Sequence, residues 1–208
     1  MIGKLTHRND PPPESLALTD EPSLTPRYTR PAIIAHWLIA LLMIGNIVLG
    51  LVAEKLPDDR IRLAIDTHKS IGIIVLGLVA MRTLWRLGHK PPLFSQSMAP
   101  WERGLAHATH LGLYVLMLWM PLTGWAHDSA WKAAPEIPMK LFGVFEWPRI
   151  GFIMALPAER KEYLHDVLGT MHEVGGYMLI ALVILHLAGA LKHQFIDGEP
   201  EFRRMWPR

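Results

Sequence analysis

Apolar positions along the chain gather into four long runs, at about residues 31–53, 66–87, 104–126 and 167–191. Each is close to the ~20 residues a helix needs to cross ~30 Å of hydrocarbon. A helix is the open-ended element that satisfies its own backbone polar groups there. The pattern predicts an all-α membrane protein built as a four-transmembrane-helix bundle. Pro121 is expected to kink the third helix.

The polar stretches differ in character. Residues 1–29 are proline-rich (Pro11, Pro12, Pro13, Pro22, Pro26) and hold no apolar run long enough for a signal-peptide core, so they read as a disordered cytoplasmic extension. Residues 30–208 read as one transmembrane domain. Within it, 54–65 is a short charged connection and 88–103 a proline-rich, basic one. Residues 127–166 read as a long periplasmic loop. Trp131, Phe142, Phe145, Trp147 and Phe152 suit it to the membrane surface, with a short amphipathic helix expected near 158–166.

Lysine and arginine placement sets orientation. Twelve of the 21 fall on the side of the termini: Lys4, Arg8, Arg27, Arg30, Arg82, Arg86, Lys90, Arg103, Lys192, Arg203, Arg204 and Arg208. Five of the other nine sit in the long loop, where the rule weakens. Both termini are therefore expected in the cytoplasm, and the chain in a bacterial inner membrane as a multi-pass protein.

Composition sharpens the class. Half of the 208 residues are hydrophobic and 19% are charged, against about 25% in an ordinary globular chain. With no cysteine, a disulfide framework, a thiolate zinc site, a cysteine-held iron–sulfur cluster and a covalent c-type haem are all excluded. A net charge of +2 without a basic stripe gives no basis for a nucleic-acid partner.

The 11 histidines carry the chemistry. Ionisable side chains inside spans are costly and mark function. With the termini inside, His36 and His186 lie at one depth near the inner surface, and His68 and His172 at one depth near the outer. His172 and His186 are 14 residues apart, about 21 Å along one helix face. A bis-histidine haem needs two imidazoles from different helices at one depth, so the pairs His36/His186 and His68/His172 suit two haems b, stacked across the bilayer inside the bundle. The residues one turn on (Ala40, Gly72, Gly176 and Ala190) are all small, as a wide porphyrin face requires. His107 and His110 are followed at that spacing by Leu111 and Tyr114 and fail the test. Any one of these histidines, alone, reads equally well as a hydrogen-bonded bundle residue.

The same residues carry a resemblance. His36-Trp37-Leu38, His68 with Gly72, Arg82, Gly104-Leu105-Ala106-His107 with His110, His172-Glu173, Gly176-Tyr177, His186 and His193 resemble the bacterial cytochrome b561 family over about residues 27–208. These are four-helix dihaem membrane cytochromes that include the superoxide oxidase type. The resemblance implies His36, His68, His172 and His186 as axial haem ligands. It also implies exchange of electrons with ubiquinone or another quinone and, in one branch, oxidation of superoxide at the outer face. The chain departs from the pattern in a less basic second loop and in Gln194 after His193, both where quinone contacts are expected.

Supporting residues follow. His193, seven residues past His186, is a candidate quinone hydrogen-bonder or proton relay, or an interfacial histidine. Arg82 is a candidate contact for a haem propionate or quinone headgroup, with Arg86 behind it; both also serve as positive-inside anchors. Lys69, Arg60 and Arg62 are candidates to attract an anionic reductant, or a solvated rim. The leading function is electron transfer across the inner membrane between an outer-face donor and quinone: as a superoxide:quinone oxidoreductase, or as a cytochrome served by a redox partner. The alternative is the cytochrome b membrane anchor of a hydrogenase or formate dehydrogenase-type complex. A haem-free transporter predicts acidic residues within the spans, yet Asp66 and Glu173 lie at span ends.

Overall fold

The structure, a computed structural model, describes residues 27–94, 97–199 and 201–206. All but the last three positions of the 1–29 extension therefore lie outside the described residues. Among the described residues, four helices are long and apolar enough to cross a membrane. They are α1 (Arg30–Val52), α2 (Asp58–Gly88), α3 (Pro100–Ala130) and α5 (Ala158–Phe195). A short α4 (Gly151–Met154) precedes α5, and α6 (Glu201–Arg204) follows it. The four long helices alternate in direction, so Arg27 and Trp206, the first and last described residues, meet at one end of the bundle, the termini end, where the Arg27 guanidinium donates to the Trp206 carbonyl at 2.7 Å.

Prolines open the long helices. Pro31 and Pro100 occupy first-turn positions, where a missing N–H is harmless. Pro57 and Pro157 sit just before α2 and α5. Asp58 and Asp59 fall in the first turn of α2, and Lys192 and His193 in the last turn of α5, each complementing the helix dipole. The Glu102 carboxylate accepts the Ala99 N–H at 3.1 Å and caps α3.

Three helices run past the apolar stretches seen in sequence. Residues 58–65 belong to α2, where Arg62 pairs with Asp66 one turn on at 2.9 Å. The helix expected near 158–166 is the first two turns of α5, continuous with the fourth span. α3 stays helical through Pro121.

Packing is closest between α3 and α5. A Cβ added at Gly112 would stand 2.7 Å from Leu182 Cδ1, and one at Gly175 2.8 Å from Met120 Sδ, so these small residues let the two helices approach. α1 lies along α2 and α2 along α3. Ile39, Val75 and Val79 form one buried cluster, and Leu113, Leu116 and Leu179 another. Ile34, Leu41, Leu84, Leu111 and Ile184 are exposed on the outside of the bundle, as expected where the solvent is lipid. α5 makes no comparably extended backbone approach to α1 or α2 among the described residues.

The long loop is folded onto the helix ends. Strands β1 (Lys140–Leu141) and β2 (Phe145–Glu146) form a hairpin. Its turn holds Phe142 at φ 48° and Gly143 at φ 74°. The Phe142 N–H donates to the Ser70 hydroxyl at 2.9 Å, and the Ile150 N–H to the Ser129 hydroxyl at 3.0 Å. Arg149 donates to the carbonyls of Ala134 and Ile137, both at 2.6 Å. At the termini end the indole N–H of Trp37 donates to the Met205 carbonyl at 2.7 Å, which closes the C-terminal segment onto α1.

Candidate functional site

Depth places the four span histidines, and helix rotation turns them together. The rings of His36 (α1) and His186 (α5) have centroids 6.2 Å apart at the termini end. The rings of His68 (α2) and His172 (α5) have centroids 6.0 Å apart toward the other end. All four side chains are half-buried. They bridge the helices whose backbones stay apart, α5 on one side and α1 and α2 on the other.

The two pairs are held differently. His68 Nδ1 lies 3.0 Å from the Asn46 carbonyl. A carbonyl only accepts, so Nδ1 carries the hydrogen and Nε2 keeps its lone pair. His172 Nδ1 lies 3.1 Å from Thr123 Oγ1. The single hydroxyl hydrogen of Thr123 is directed to the carbonyls of Trp119 and Met120, at 2.9 and 3.0 Å, so its oxygen accepts from His172. At the termini end, the buried Nδ1 of His36 has no hydrogen-bond partner, and among the described residues none is seen for His186.

The small residues against the rings are not all the expected ones. A Cβ on Gly50 would lie 3.2 Å from the His68 ring, and one on Gly124 3.1 Å from the His172 ring. Gly72 and Gly176, one turn from the ligand candidates, instead face Asn46 and Met120. A one-helix spacing rule cannot find a glycine on the neighbouring helix.

His110, set aside in sequence, lies beside His186, with ring centroids 5.2 Å apart. Phe94 stacks on it and meets His107 edge-on. At the other end His127 and His165 stack at 3.8 Å. That pair was not singled out, although His165 precedes His172 by seven residues and so shares its helix face.

Arg82 donates to the Tyr114 hydroxyl at 3.1 Å and to the Ala32 carbonyl, one turn before His36, at 2.5 Å. With Arg27, Trp85, Arg86, Lys90 and Tyr114 it lines a cleft at the termini end, with no carboxylate among the described lining residues. His193 Nδ1 bonds to Asp197 at 2.6 Å. Lys192, also bonded to Asp197, and then His193 hold that carboxyl below its ordinary range. Glu173 is exposed. Lys69 is neutralised by Asp128 at 2.5 Å, and Arg62 by Asp66, so two of the three cations expected to attract an anion are already paired.

Residues 27–208 match the family model described as prokaryotic cytochrome b561. The chain belongs to the prokaryotic cytochrome b561 family. It is 33% identical over 172 residues to cytochrome b561 homolog 2 of Escherichia coli, which covers 82% of this chain and 86% of that protein. It is 27% identical over 180 residues to the probable superoxide oxidase CybB of Yersinia pestis, covering 83% and 92%. Cytochrome b562 of Cereibacter sphaeroides matches at 30% over 122 residues, covering 54% and 75%. As a cytochrome b561 with four membrane-spanning helices, the chain is a multi-pass bacterial inner-membrane protein of haem-dependent electron transport.

Proposed function

We propose that this cytochrome b561 holds two haems b and carries electrons from a donor at the outer face to quinone at the inner face. His36 and His186 ligate one haem, and His68 and His172 the other. Both termini, with residues 1–29, lie in the cytoplasm, as the twelve cations on their side favour.

One observation carries the reading. An imidazole nitrogen bonds a transition metal at about 2 Å, and the ring centre lies about 1 Å behind it, so two imidazoles on opposite sides of one ion have centres about 6 Å apart. Both pairs have that separation, at 6.0 and 6.2 Å. The donor set also suits b-type haem: imidazole pairs, no thiolate, and an orphaned ring nitrogen on His36.

When bound, the haems supply one-electron transfer; the protein supplies ligation, orientation and electrostatics. Asn46 and Thr123 fix two rings with Nε2 available. Gly50 and Gly124 leave room beside those rings. Arg82 and its cleft offer cations to a propionate or a quinone headgroup. His193, oriented by Asp197, offers a ring nitrogen to a quinone carbonyl and a route for its proton. Superoxide is the proposed donor, supported by the likeness to a probable superoxide oxidase. Two superoxide anions each lose one electron and leave as dioxygen. One quinone takes both electrons and two protons to become quinol.

A reduced-minus-oxidised spectrum with pyridine-haemochrome quantitation of the detergent-purified chain tests this. Two haems b per chain, falling to one or fewer in His36→Ala or His172→Ala, are expected. Well-folded protein without haem overturns it. Reduction of the isolated chain by superoxide supports the donor. Reduction only through an added partner complex favours a membrane-anchor role.

A further inference from the structure

The long loop between α3 and α5 carries two kinds of apolar side chain. Trp131 and Trp147 turn to the protein. The Arg62 and Lys69 cations lie over the Trp131 ring, at 5.6 and 5.9 Å, and Trp147 meets the Trp125 ring at 5.9 Å. Phe142, Val144 and Phe145, at the tip of the β1–β2 hairpin, turn outward and are 53%, 70% and 70% exposed. Adjacent exposed apolar side chains mark an interaction surface.

The position of the tip points to its partner. The Phe142 N–H donates to the Ser70 hydroxyl, which moors the tip to α2. Ser70 is four residues, about 6 Å along the helix, past Asp66, where the apolar run begins. The exposed Arg62–Asp66 pair lies above that level. Lys69, the cation beside it, is neutralised by the buried Asp128. One turn below, Ile74 is apolar and exposed, as a side chain against lipid is. The hairpin thus ends where α2 passes from charged to lipid-facing. Its own charges match that boundary: Lys140 and Glu146 face each other across the base, and the residues between them carry none.

The backbone of the tip is also suited to an apolar medium, where an unpaired polar group costs several kcal/mol. Besides the Phe142 bond, the Val144 N–H donates to the Leu141 carbonyl at 3.0 Å and the Trp147 N–H to the Met139 carbonyl at 2.9 Å.

We infer that the 140–146 hairpin is a membrane anchor. Phe142, Val144 and Phe145 insert into the headgroup–acyl boundary of the leaflet at the bundle end opposite the termini, and Lys140 and Glu146 stay among the headgroups. The partner is the lipid surface, and burial of the three apolar side chains drives the insertion. Neither haem content nor the electron donor bears on it.

Depth-dependent quenching on the full chain in phosphatidylcholine vesicles tests this. The chain has no cysteine, so one introduced thiol carries an environment-sensitive fluorophore at a single site. Val144→Cys is compared with Glu136→Cys, an exposed position in the same loop. Each is quenched by lipid spin-labelled near the top of the acyl chain and, separately, by iodide present on both sides of the membrane. The ratio of lipid to iodide quenching is expected to be severalfold higher at 144 than at 136. An equal or lower ratio overturns the inference and leaves the tip in water, open to a soluble partner. Quenching by neither agent places the tip against protein and overturns it too. Where Val144→Cys fails to fold, Phe145→Cys gives the same reading.

Discussion

Lys69, the residue after His68, is bonded at 2.5 Å to Asp128, a carboxylate that is only 3% exposed. Asp128 also accepts from Arg149 at 2.8 Å. The α2 segment just past His68, the C-terminal end of α3 and the folded loop are thus tied at one carboxylate. Removing one partner of a buried pair leaves the others charged and desolvated. Asp128→Ala is expected to destabilise the protein by about 3 kcal/mol, read as a lower thermal midpoint in detergent. It should also speed protease cleavage within 131–150. An unchanged midpoint would show that the tie contributes nothing.

The glycines against the rings yield a local prediction. Gly124→Leu places a side chain where the His172 ring lies, 3.1 Å from the first added carbon. On the two-haem reading proposed above, it is expected to lower the haem content from two per chain toward one while leaving helix content intact, measured by haemochrome assay with circular dichroism. Retention of both haems would mean that the ring moves freely.

Two other glycines separate helix packing from helix propensity. Gly112→Ala puts a methyl 2.7 Å from Leu182 Cδ1, and overpacking of this kind costs about 1–3 kcal/mol. Gly77→Ala meets nothing within 4 Å and should be neutral or stabilising by up to about 1 kcal/mol. Thermal unfolding of the two variants side by side should show shifts of opposite sense, or a fall for Gly112→Ala alone.

The C-terminal junction should respond to acid. Lys192 holds the Asp197 carboxyl below its ordinary range. A carboxyl lowered in the folded protein stabilises fully above its unfolded value, about 3.9, and that contribution is lost as pH falls through the lower folded value. The Glu199 N–H, bonded to the His193 carbonyl at 2.8 Å, should stay protected from neutral pH down to about 4 and lose protection below it. Asp197→Asn should lose protection already at pH 7. Hydrogen exchange corrected for intrinsic rates reads both.

The apolar runs alone determined that four helices cross a membrane, because hydrocarbon thickness fixes span length locally. Spacing along α5 alone put His172 and His186 on one face at two depths, because helical rise and pitch are local properties. The tertiary structure decided what each side chain meets. It set Gly50 and Gly124, rather than Gly72 and Gly176, against the histidine rings. It gave His68 and His172 acceptors that His36 and His186 lack, brought His110 to His186, and neutralised Lys69 with a residue 59 positions away. It also extended α2 and α5 beyond the hydrocarbon, where polar first turns and ion pairs sustain a helix that hydropathy does not mark. Those partners depend on how each helix is rotated and shifted against its neighbours. Rotation and register are fixed by contacts such as Gly112 with Leu182, between residues far apart in the chain.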